Sequence, residues 1–241
     1  MNIIEFKDSQ HVSKEAASII AKTIHEKPNA VLGLATGGTP IGTYQELIHL
    51  HQEKGLSFRQ IKTVNLDEYV GLDSDHANSY MTYMKEHLFD HIDIPRENYH
   101  LPNGSASDLA GECLRYEHFI QSLGGVDIQL LGIGQNGHIG FNEPGTPFSS
   151  KTHVVALDEN TRQANARYFS SIHDVPKKAV TMGIQSILSS KKILLLATGK
   201  SKAEVIKYLE HAEVHPDFPA SALKLHQNVT VLIDQEAGSL R

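Results

Sequence analysis

The sequence predicts an α/β fold in a single domain, with an open, mainly parallel twisted sheet and helices on both faces. Short apolar runs rich in Val, Ile and Leu recur along the chain, as expected of strands that are buried on both faces. Segments with helical spacing of apolar residues alternate with these runs, and that alternation is typical of a parallel sheet. The 241 residues contain no internal repeat, low-complexity tract or Pro/Ser-rich linker, so we expect one domain over residues 1–241.

The expected elements follow the alternation of a Rossmann-like fold. The strands are predicted at Ile3–Phe6, Ala30–Ala35, Ile61–Leu66, Val126–Ile133, Lys192–Ala197 and Val229–Ile233. The helices are predicted at Ser9–His25, Pro40–Lys54, Ser107–Leu123, Asn160–Phe169 and Ser201–Leu209. Thr39 is the expected N-cap of the second helix, because Pro40 suits a first helical position. Gly55 is expected to end that helix.

Composition restricts the possible functions. Hydrophobic residues make up 40% and charged residues 21%, as in a folded globular protein. The formal net charge of −6 gives no basic surface for nucleic acid, so no nucleic-acid partner is expected. No apolar run approaches the ~20 residues of a membrane helix, and acidic residues interrupt the N-terminal segment, so no membrane partner or signal peptide is expected. The one cysteine, Cys113, cannot form an internal disulfide and indicates a cytoplasmic protein.

Metal and redox cofactors are not expected. The fifteen histidines are scattered, without the Cys or carboxylate grouping of a strong metal site. Residues 132–137 match the dinucleotide-binding pattern G-x-G-x-x-G literally. That pattern requires a helix directly after the glycines. Gly140, Pro144 and Pro147 follow instead, so the match does not predict a nicotinamide site.

Unusual polar residues follow four of the predicted strands. These segments are Thr36-Gly37-Gly38-Thr39, Asp67-Glu68-Tyr69, Gly134-Gln135-Asn136-Gly137-His138 and Thr198-Gly199-Lys200-Ser201-Lys202. In open α/β sheets the ligand crevice lies at the carboxyl ends of the strands. The four segments are therefore expected to meet at one edge of the sheet and to form an active site there.

Two of these segments suit a phosphate group. In Thr36–Thr39 the glycines allow backbone N–H groups to approach a ligand, and the following helix presents its positive end. The alternative is an ordinary glycine turn with a threonine cap. Lys202 lies in a first helical turn, where a cation is mildly unfavourable unless an anion binds there. The alternative is a solvated surface lysine.

Three further side chains suit acid–base chemistry. A carboxylate at a strand end can be a general base, and of Asp67 and Glu68 only one is expected to enter the crevice, because adjacent residues point to opposite sides. His138 can exchange protons near neutral pH, and Glu143 can orient it. The alternatives are a helix N-cap for the carboxylates and a satisfied loop histidine. Of Arg162 and Arg167, one is expected to bind phosphate and the other to be structural or solvated.

These residues carry a family resemblance. The segments Thr36–Pro40, Asn65–Leu72, Gly137–Pro144, Thr161–Arg167 and Gly199–Lys202 closely resemble the glucosamine-6-phosphate deaminases, in order and spacing, over nearly the whole chain. The resemblance implies conversion of a small-molecule sugar phosphate, glucosamine 6-phosphate, with water to fructose 6-phosphate and ammonia, in amino-sugar catabolism. It implies no metal and no cofactor.

The resemblance also implies residue roles. Asp67 would move a proton between C2 and C1 through an enediol-type intermediate. His138 would open the sugar ring with the help of Glu143 and Asn136. The phosphate would be held by the loop of residues 36–39, chiefly Gly38 and Thr39, together with Arg167 and Lys202.

Two departures from the family pattern bear on mechanism and regulation. Many members carry Asp in place of Asn136, whose carbonyl is still expected to orient the imidazole, and Asn136→Asp is expected to move the pH–rate profile. Some members are hexamers activated by an N-acetylated sugar phosphate through basic residues near position 153. Here His153 and Val155 stand where Arg and Lys are expected, so no such activation is predicted. The sequence leaves open whether the chain is a monomer or a homo-oligomer, and whether residues 145–153 form a mobile lid.

Two other functions compete with this one. A sugar-phosphate lactonase on the same fold would explain the phosphate loops but not a carboxylate placed for enolisation. A sugar-phosphate-sensing regulatory protein would need a DNA-binding module, and the chain has no basic segment for one.

Overall fold

Two sheets and seven α-helices are seen in the computed structural model, which describes residues 1–166 and 169–241. The strands are β1 (Asn2–Phe6), β2 (Val31–Leu34), β3 (Lys62–Asn65), β4 (Asp67–Tyr69), β5 (Tyr99–His100), β6 (Ile128–Leu131), β7 (His153–Ala156), β8 (Lys178–Thr181), β9 (Ile193–Ala197) and β10 (Val229–Asp234). The α-helices are α1 (Ser9–Glu26), α2 (Ile41–Lys54), α3 (Tyr80–His87), α4 (Leu109–Ser122), α5 (Glu159–Asn165), α6 (Ile184–Leu188) and α7 (Ala203–His211).

The larger sheet has seven strands in the order β1-β10-β9-β6-β2-β3-β5, and every neighbouring pair is parallel. All six predicted strands belong to it, which confirms the predicted α/β class with a parallel sheet. The carboxyl ends of β2, β3, β6 and β9 therefore lie along the same edge. This edge carries the four polar segments singled out in the sequence.

Helices cover both faces of the larger sheet, as predicted. One hydrophobic core joins α1, α2 and α3 to Leu32 and Leu34 of β2. A second core joins α4, α6 and α7 to Val31 and Ala35, at the start and just after the end of the same strand. Alternate residues of β2 thus enter opposite cores, as the side-chain geometry of a strand requires. Burial on both faces explains why these strands are continuous apolar runs.

A second, antiparallel sheet in the order β4-β8-β7 was not predicted. The segment Asp67–Tyr69, expected as a loop, forms β4 and pairs with β8, with Asp67 opposite Thr181. This pairing extends the chain beyond the end of β3 and fixes the backbone on which Asp67 lies. The strands have only three or four residues, and no residue of β7 is fully buried. They therefore form no long apolar run from which they could be predicted.

The helix ends agree with the predictions at some positions and differ at others. Gly55 ends α2 in the left-handed conformation, with φ of 71°, as predicted. Thr39 does not cap α2, because Pro40 occupies the N-cap position and makes no side-chain capping bond. The predicted first turn of α7 is instead a short 3-10 helix, Lys200–Lys202. No helix among the described residues is long and apolar enough to span a membrane.

Candidate active site

The four polar segments meet around one cavity of about 1270 Å³ at the carboxyl edge of the larger sheet. We call it the strand-end cavity. The predicted site residues that line it are Thr36, Gly37, Gly38, Thr39, Asp67, Asn136, His138 and Lys202. Glu143 does not line it but is bonded to Asn136, which does. Arg167 lies outside the described residues.

The loop after β2 supplies backbone donors to this cavity. Gly37 has φ of 93°, a left-handed conformation that residues with a side chain rarely adopt. The loop leads directly into α2, a helix of 14 residues that begins without a side-chain cap. Its first N–H groups and its positive dipole end favour an anion at this position. The geometry of this loop suits a phosphate group, and phosphate binding by the loop stays a prediction.

Lys202 reaches the cavity from the loop after β9. Its Nζ donates a hydrogen bond to the carbonyl oxygen of Ile133 at 2.7 Å. Burial lowers the pKa of Lys202, since desolvation disfavours the charged ammonium. An ammonium has three donors, so two are left for a ligand. Lys202 is thus a half-buried cation that gains from binding an anion, and not a solvated surface lysine.

Asp67 is the buried carboxyl group of the strand-end cavity, with 6% of its surface exposed. Burial, and secondly the charge of neighbouring Glu68, raise the pKa of Asp67 to about 8. Such a carboxyl group can take up and release a proton close to neutral pH, as a general base must.

Glu68 points away from the cavity, as the alternation along a strand predicted. Its carboxylate accepts hydrogen bonds from the backbone N–H groups of Tyr69, Tyr80 and Met81, and so binds the N-terminus of α3. Burial raises the pKa of Glu68 to about 7, and the three N–H bonds oppose that increase. Of the two adjacent carboxylates, one therefore serves the cavity and the other anchors a helix.

A second acid–base group is formed by the loop after β6. His138 Nδ1 lies 3.5 Å from Glu143 Oε2, close enough for an ion pair when the imidazole is protonated, and it makes no hydrogen bond to the described residues. Thr161 on α5 donates to Glu143 Oε1 at 2.8 Å, and Asn136 Nδ2 donates to Oε2 at 2.6 Å. Burial opposes ionisation, but the nearby imidazole of His138 and the hydrogen bonds from Thr161 and Asn136 hold the pKa of Glu143 below its usual value. Glu143 is thus a carboxylate that stays charged beside the histidine.

Asn136 acts differently from the expectation that its carbonyl orients the imidazole. Its Oδ1 accepts the backbone N–H of His138 at 3.2 Å, and its amide nitrogen binds Glu143. The position of the ring is instead limited by Gly134, where an added Cβ would lie 2.4 Å from Cε1 of His138. The imidazole therefore packs directly against bare backbone.

Arg162 on α5 is held by contacts within the protein. Arg162 donates to the carbonyl oxygens of Ile172 at 2.9 Å and Val175 at 3.3 Å, and it lies 3.5 Å from Glu159. It is therefore the structural arginine of the predicted pair.

Several cavity residues were missed by the sequence analysis. Tyr80 and Thr161 line the strand-end cavity from α3 and α5. Neither helix directly follows a strand of the larger sheet, so the rule that locates sites at strand ends does not find them. That rule considers only the loops that follow strands of the parallel sheet.

The chain is similar to known proteins over almost its whole length. Residues 7–232 match the model of a family described as Glucosamine-6-phosphate isomerases/6-phosphogluconolactonase. A glucosamine-6-phosphate deaminase of Bacillus pumilus is 75% identical over 241 residues, which cover 100% of both chains. Glucosamine-6-phosphate deaminase 1 of Bacillus subtilis is 64% identical, again over 100% of both chains.

Solved structures share the whole architecture. One, described as a monomeric glucosamine-6-phosphate deaminase, superposes with a TM-score of 0.99 at 63% identity and covers 100% of both chains. A 6-phosphogluconolactonase from Trypanosoma brucei has a TM-score of 0.77 at 21% identity, covering 99% of this chain and 97% of that one. The second likeness shows the fold alone.

Proposed function

The chain belongs to the family of glucosamine-6-phosphate isomerases and 6-phosphogluconolactonases, and we propose that it converts glucosamine 6-phosphate and water to fructose 6-phosphate and ammonia. The observation that carries this proposal is Asp67, a buried carboxyl group with a pKa of about 8 in a cavity that also holds the His138–Glu143 pair. A lactonase needs no base of this kind, because hydrolysis of an ester removes no proton from carbon. Relatives with 75% and 64% identity are named deaminases.

Substrate binding places the phosphate at one end of the strand-end cavity. We assign the phosphate to the N–H groups of the loop Thr36–Thr39 and to the ammonium of Lys202, which line the same cavity. Arg167 stays a predicted phosphate ligand. Binding energy from the phosphate can hold the reacting carbons against Asp67, since a fixed geometry replaces a bimolecular encounter.

Ring opening comes first in the proposed mechanism. His138 accepts the proton of the hydroxyl at C1 and returns a proton to the ring oxygen, so the ring opens to the aldehyde without net proton change. The charged Glu143, 3.5 Å from His138 Nδ1, stabilises the imidazolium that forms between these transfers. Asn136 and Thr161 hold Glu143 in place through their hydrogen bonds.

Isomerisation then uses Asp67 as the base. The ionised carboxylate takes the proton from C2 while a proton is added to O1, giving an enediol-type intermediate that carries nitrogen at C2. The carboxyl group then returns its proton to C1, and the proton added at O1 is balanced by the one released from the C2 iminium as water adds. The resulting imine at C2 adds water and releases ammonia, which leaves the ketose. The net reaction consumes water, so we classify the enzyme as a hydrolase whose chemistry is an aldose–ketose isomerisation.

The experiment that tests this proposal measures ammonia release from glucosamine 6-phosphate. We expect release by the wild-type protein and loss of at least about a thousandfold in Asp67→Asn. Asp75→Asn, which changes an exposed carboxylate, is the matched control and should retain full activity. Release that persists in Asp67→Asn would remove Asp67 from the mechanism. Hydrolysis of 6-phosphogluconolactone in place of ammonia release would favour the lactonase.

Assembly and regulation follow as further parts of the proposal. The solved relative is described as monomeric, and we infer that this chain is also a monomer, which light scattering after gel filtration tests. We expect hyperbolic rate curves that an N-acetylated sugar phosphate does not change. The buried free thiol of Cys113 suits a reducing compartment, so the cytoplasm is the proposed location.

A further inference from the structure

Three tyrosines lie against the loop after β2, and two of them bind its backbone through their hydroxyl groups. Tyr44 on α2 accepts the backbone N–H of Ala35 at 3.2 Å and donates to the carbonyl of the same residue. Tyr80 on α3 and Thr36 both line the strand-end cavity, and Thr36 lies near enough to lower the pKa of the Tyr80 hydroxyl, although burial raises that pKa overall. Tyr83, one turn further along α3, donates to the carbonyl oxygen of Gly37 at 2.6 Å. These three tyrosines, Tyr44, Tyr80 and Tyr83, are called the tyrosine bracket below.

The bond from Tyr83 determines which way the next peptide group points. The peptide between Gly37 and Gly38 is trans, so its C=O and N–H point in opposite directions. Tyr83 is not among the residues that line the strand-end cavity, whereas both glycines are. A carbonyl directed toward Tyr83 therefore leaves the N–H of Gly38 directed away from α3. The bond selects one of the many orientations that a Gly-Gly peptide allows.

The helix that carries two of these tyrosines is itself fixed at its start. Ser79 caps α3 by accepting the N–H of Thr82, and Glu68 accepts the N–H groups of Tyr80 and Met81. Glu68 directly follows the proposed base in β4. The tyrosine bracket thus fixes the loop after β2 to the same strand that carries Asp67.

We propose that Tyr83, with Tyr44, is a positioning residue that holds the Gly37–Gly38 peptide with its N–H ready for the phosphate of the substrate. The proposal rests on the proposed function of this loop as a phosphate site. A free Gly-Gly segment loses conformational entropy when it is ordered around a ligand, which weakens binding. A loop that is already held by tyrosines avoids that loss. Neither hydroxyl needs to touch the substrate for this effect.

Tyr83→Phe is the direct test, since it keeps the ring and removes only the hydroxyl. We expect KM for glucosamine 6-phosphate to rise about five- to tenfold, as for one lost hydrogen bond. Binding of inorganic phosphate, measured by calorimetry on the same proteins, should weaken by a similar factor. The value of kcat and the pH–rate profile should stay unchanged, because Asp67 and His138 are unaltered.

Two further variants separate positioning from general destabilisation. Tyr99→Phe makes the same chemical change on β5, where the ring stacks on Phe89 outside the loop, and should leave phosphate binding unchanged. Tyr44→Phe should weaken phosphate binding as Tyr83→Phe does, and it replaces that variant if Tyr83→Phe does not fold.

The outcomes distinguish this inference from the proposed function. Wild-type affinity for inorganic phosphate in the variant, or a fall in kcat with unchanged phosphate affinity, would overturn the inference. Absence of phosphate binding by the wild-type protein would also overturn it. A wild-type protein that binds phosphate through this loop but releases no ammonia would contradict only the proposed reaction.

Discussion

Glu68→Gln is expected to shift the pH dependence of activity, although Glu68 does not line the strand-end cavity. Both carboxyl groups of the Asp67-Glu68 pair are buried, with 6% and 3% of their surfaces exposed. The negative charge of Glu68 opposes ionisation of Asp67 and helps to raise the pKa of Asp67 to about 8. Three phenols face the pair, Tyr69 and Tyr80 beside it and Tyr116 from α4, and His138 and Lys202 line the same cavity as Asp67. Phenols ordinarily ionise only near pH 10 and above, so they carry no charge while Asp67 titrates.

The size of the shift follows from the separation of the charges. Adjacent carboxylates on opposite sides of a strand lie roughly 8 Å apart, and unit charges at that distance interact by about 2 kcal/mol at an effective dielectric constant of about 20. About 1.4 kcal/mol corresponds to one pKa unit. Removing the charge of Glu68 should therefore lower the pKa of Asp67 by about 1.5.

The sign of the activity change follows from the role of Asp67 as a base. Only the ionised carboxylate can accept a proton, so kcat/KM falls as pH drops below the pKa of Asp67 in the free enzyme. If the pKa of Asp67 is lower, more of the variant carries the ionised carboxylate at acidic pH. The same carboxylate is a weaker base, which lowers the rate at high pH, where Asp67 is ionised in both proteins. The ratio of variant to wild-type kcat/KM should thus be on the order of tenfold higher at about pH 6.5 than at about pH 9.5.

The assay is ammonia release under low substrate concentration across this pH range. Ionisation of the substrate affects both proteins equally and cancels in the ratio. The ratio therefore reports only the ionisation of groups on the enzyme. Glu68→Asp keeps the charge and should give a flat ratio. Glu112→Gln, a buried carboxyl elsewhere that accepts the N–H of Asn103, controls for a lost buried hydrogen bond and should also give a flat ratio. A flat ratio for Glu68→Gln would refute the electrostatic reasoning, whatever its stability.

Three further perturbations test other parts of the site. Asp67→Asn should raise the melting temperature at about pH 9 by roughly 2–4 °C per kcal/mol gained: the pKa of Asp67 is higher in the folded chain than in the unfolded chain, so the wild type loses stability between about pH 4 and pH 8, and thermal scans at about pH 5 should show a much smaller gain. Gly134→Ala should lower kcat by on the order of a hundredfold in steady-state assays, because its Cβ would lie 2.4 Å from the ring of His138, and an unchanged kcat would contradict the role of this close packing. Lys202→Met should raise KM by on the order of tenfold or more in steady-state assays, since a charged partner of the phosphate is lost; an unchanged KM would place the phosphate elsewhere.

The larger sheet could be predicted because its strands are buried on both faces. Val126–Ile133 and Lys192–Ala197 are continuous apolar runs, and such runs are evident without any knowledge of the tertiary structure. The smaller sheet could not be predicted for the opposite reason. Its strand β4 contains two acidic residues and exists because β8, more than a hundred residues later in the chain, pairs with it. Only tertiary contact makes that segment a strand.

The candidate site could likewise be predicted only in part. Asp67, His138 and Lys202 follow strands of the parallel sheet, so the topology alone brings them to one edge. The residues that support them are reached through packing. Tyr83 binds Gly37 from a helix 46 positions away, and Thr161 binds Glu143 from 18 positions away. Contacts between residues so far apart in the chain leave no periodic pattern in the sequence, so they could not be predicted from it.

The same burial acts on the base and on the cation in opposite directions, and the substrate alters both. Desolvation raises the pKa of Asp67 and lowers the pKa of Lys202, so burial favours the neutral form of both groups. A phosphate dianion stabilises the ammonium and disfavours a second negative charge. Phosphate binding therefore keeps Lys202 protonated and makes the ionised carboxylate of Asp67 more basic. A more basic carboxylate takes a proton from carbon faster. A chain with a net charge of −6 can in this way bind an anion and activate its base through one partly closed cavity.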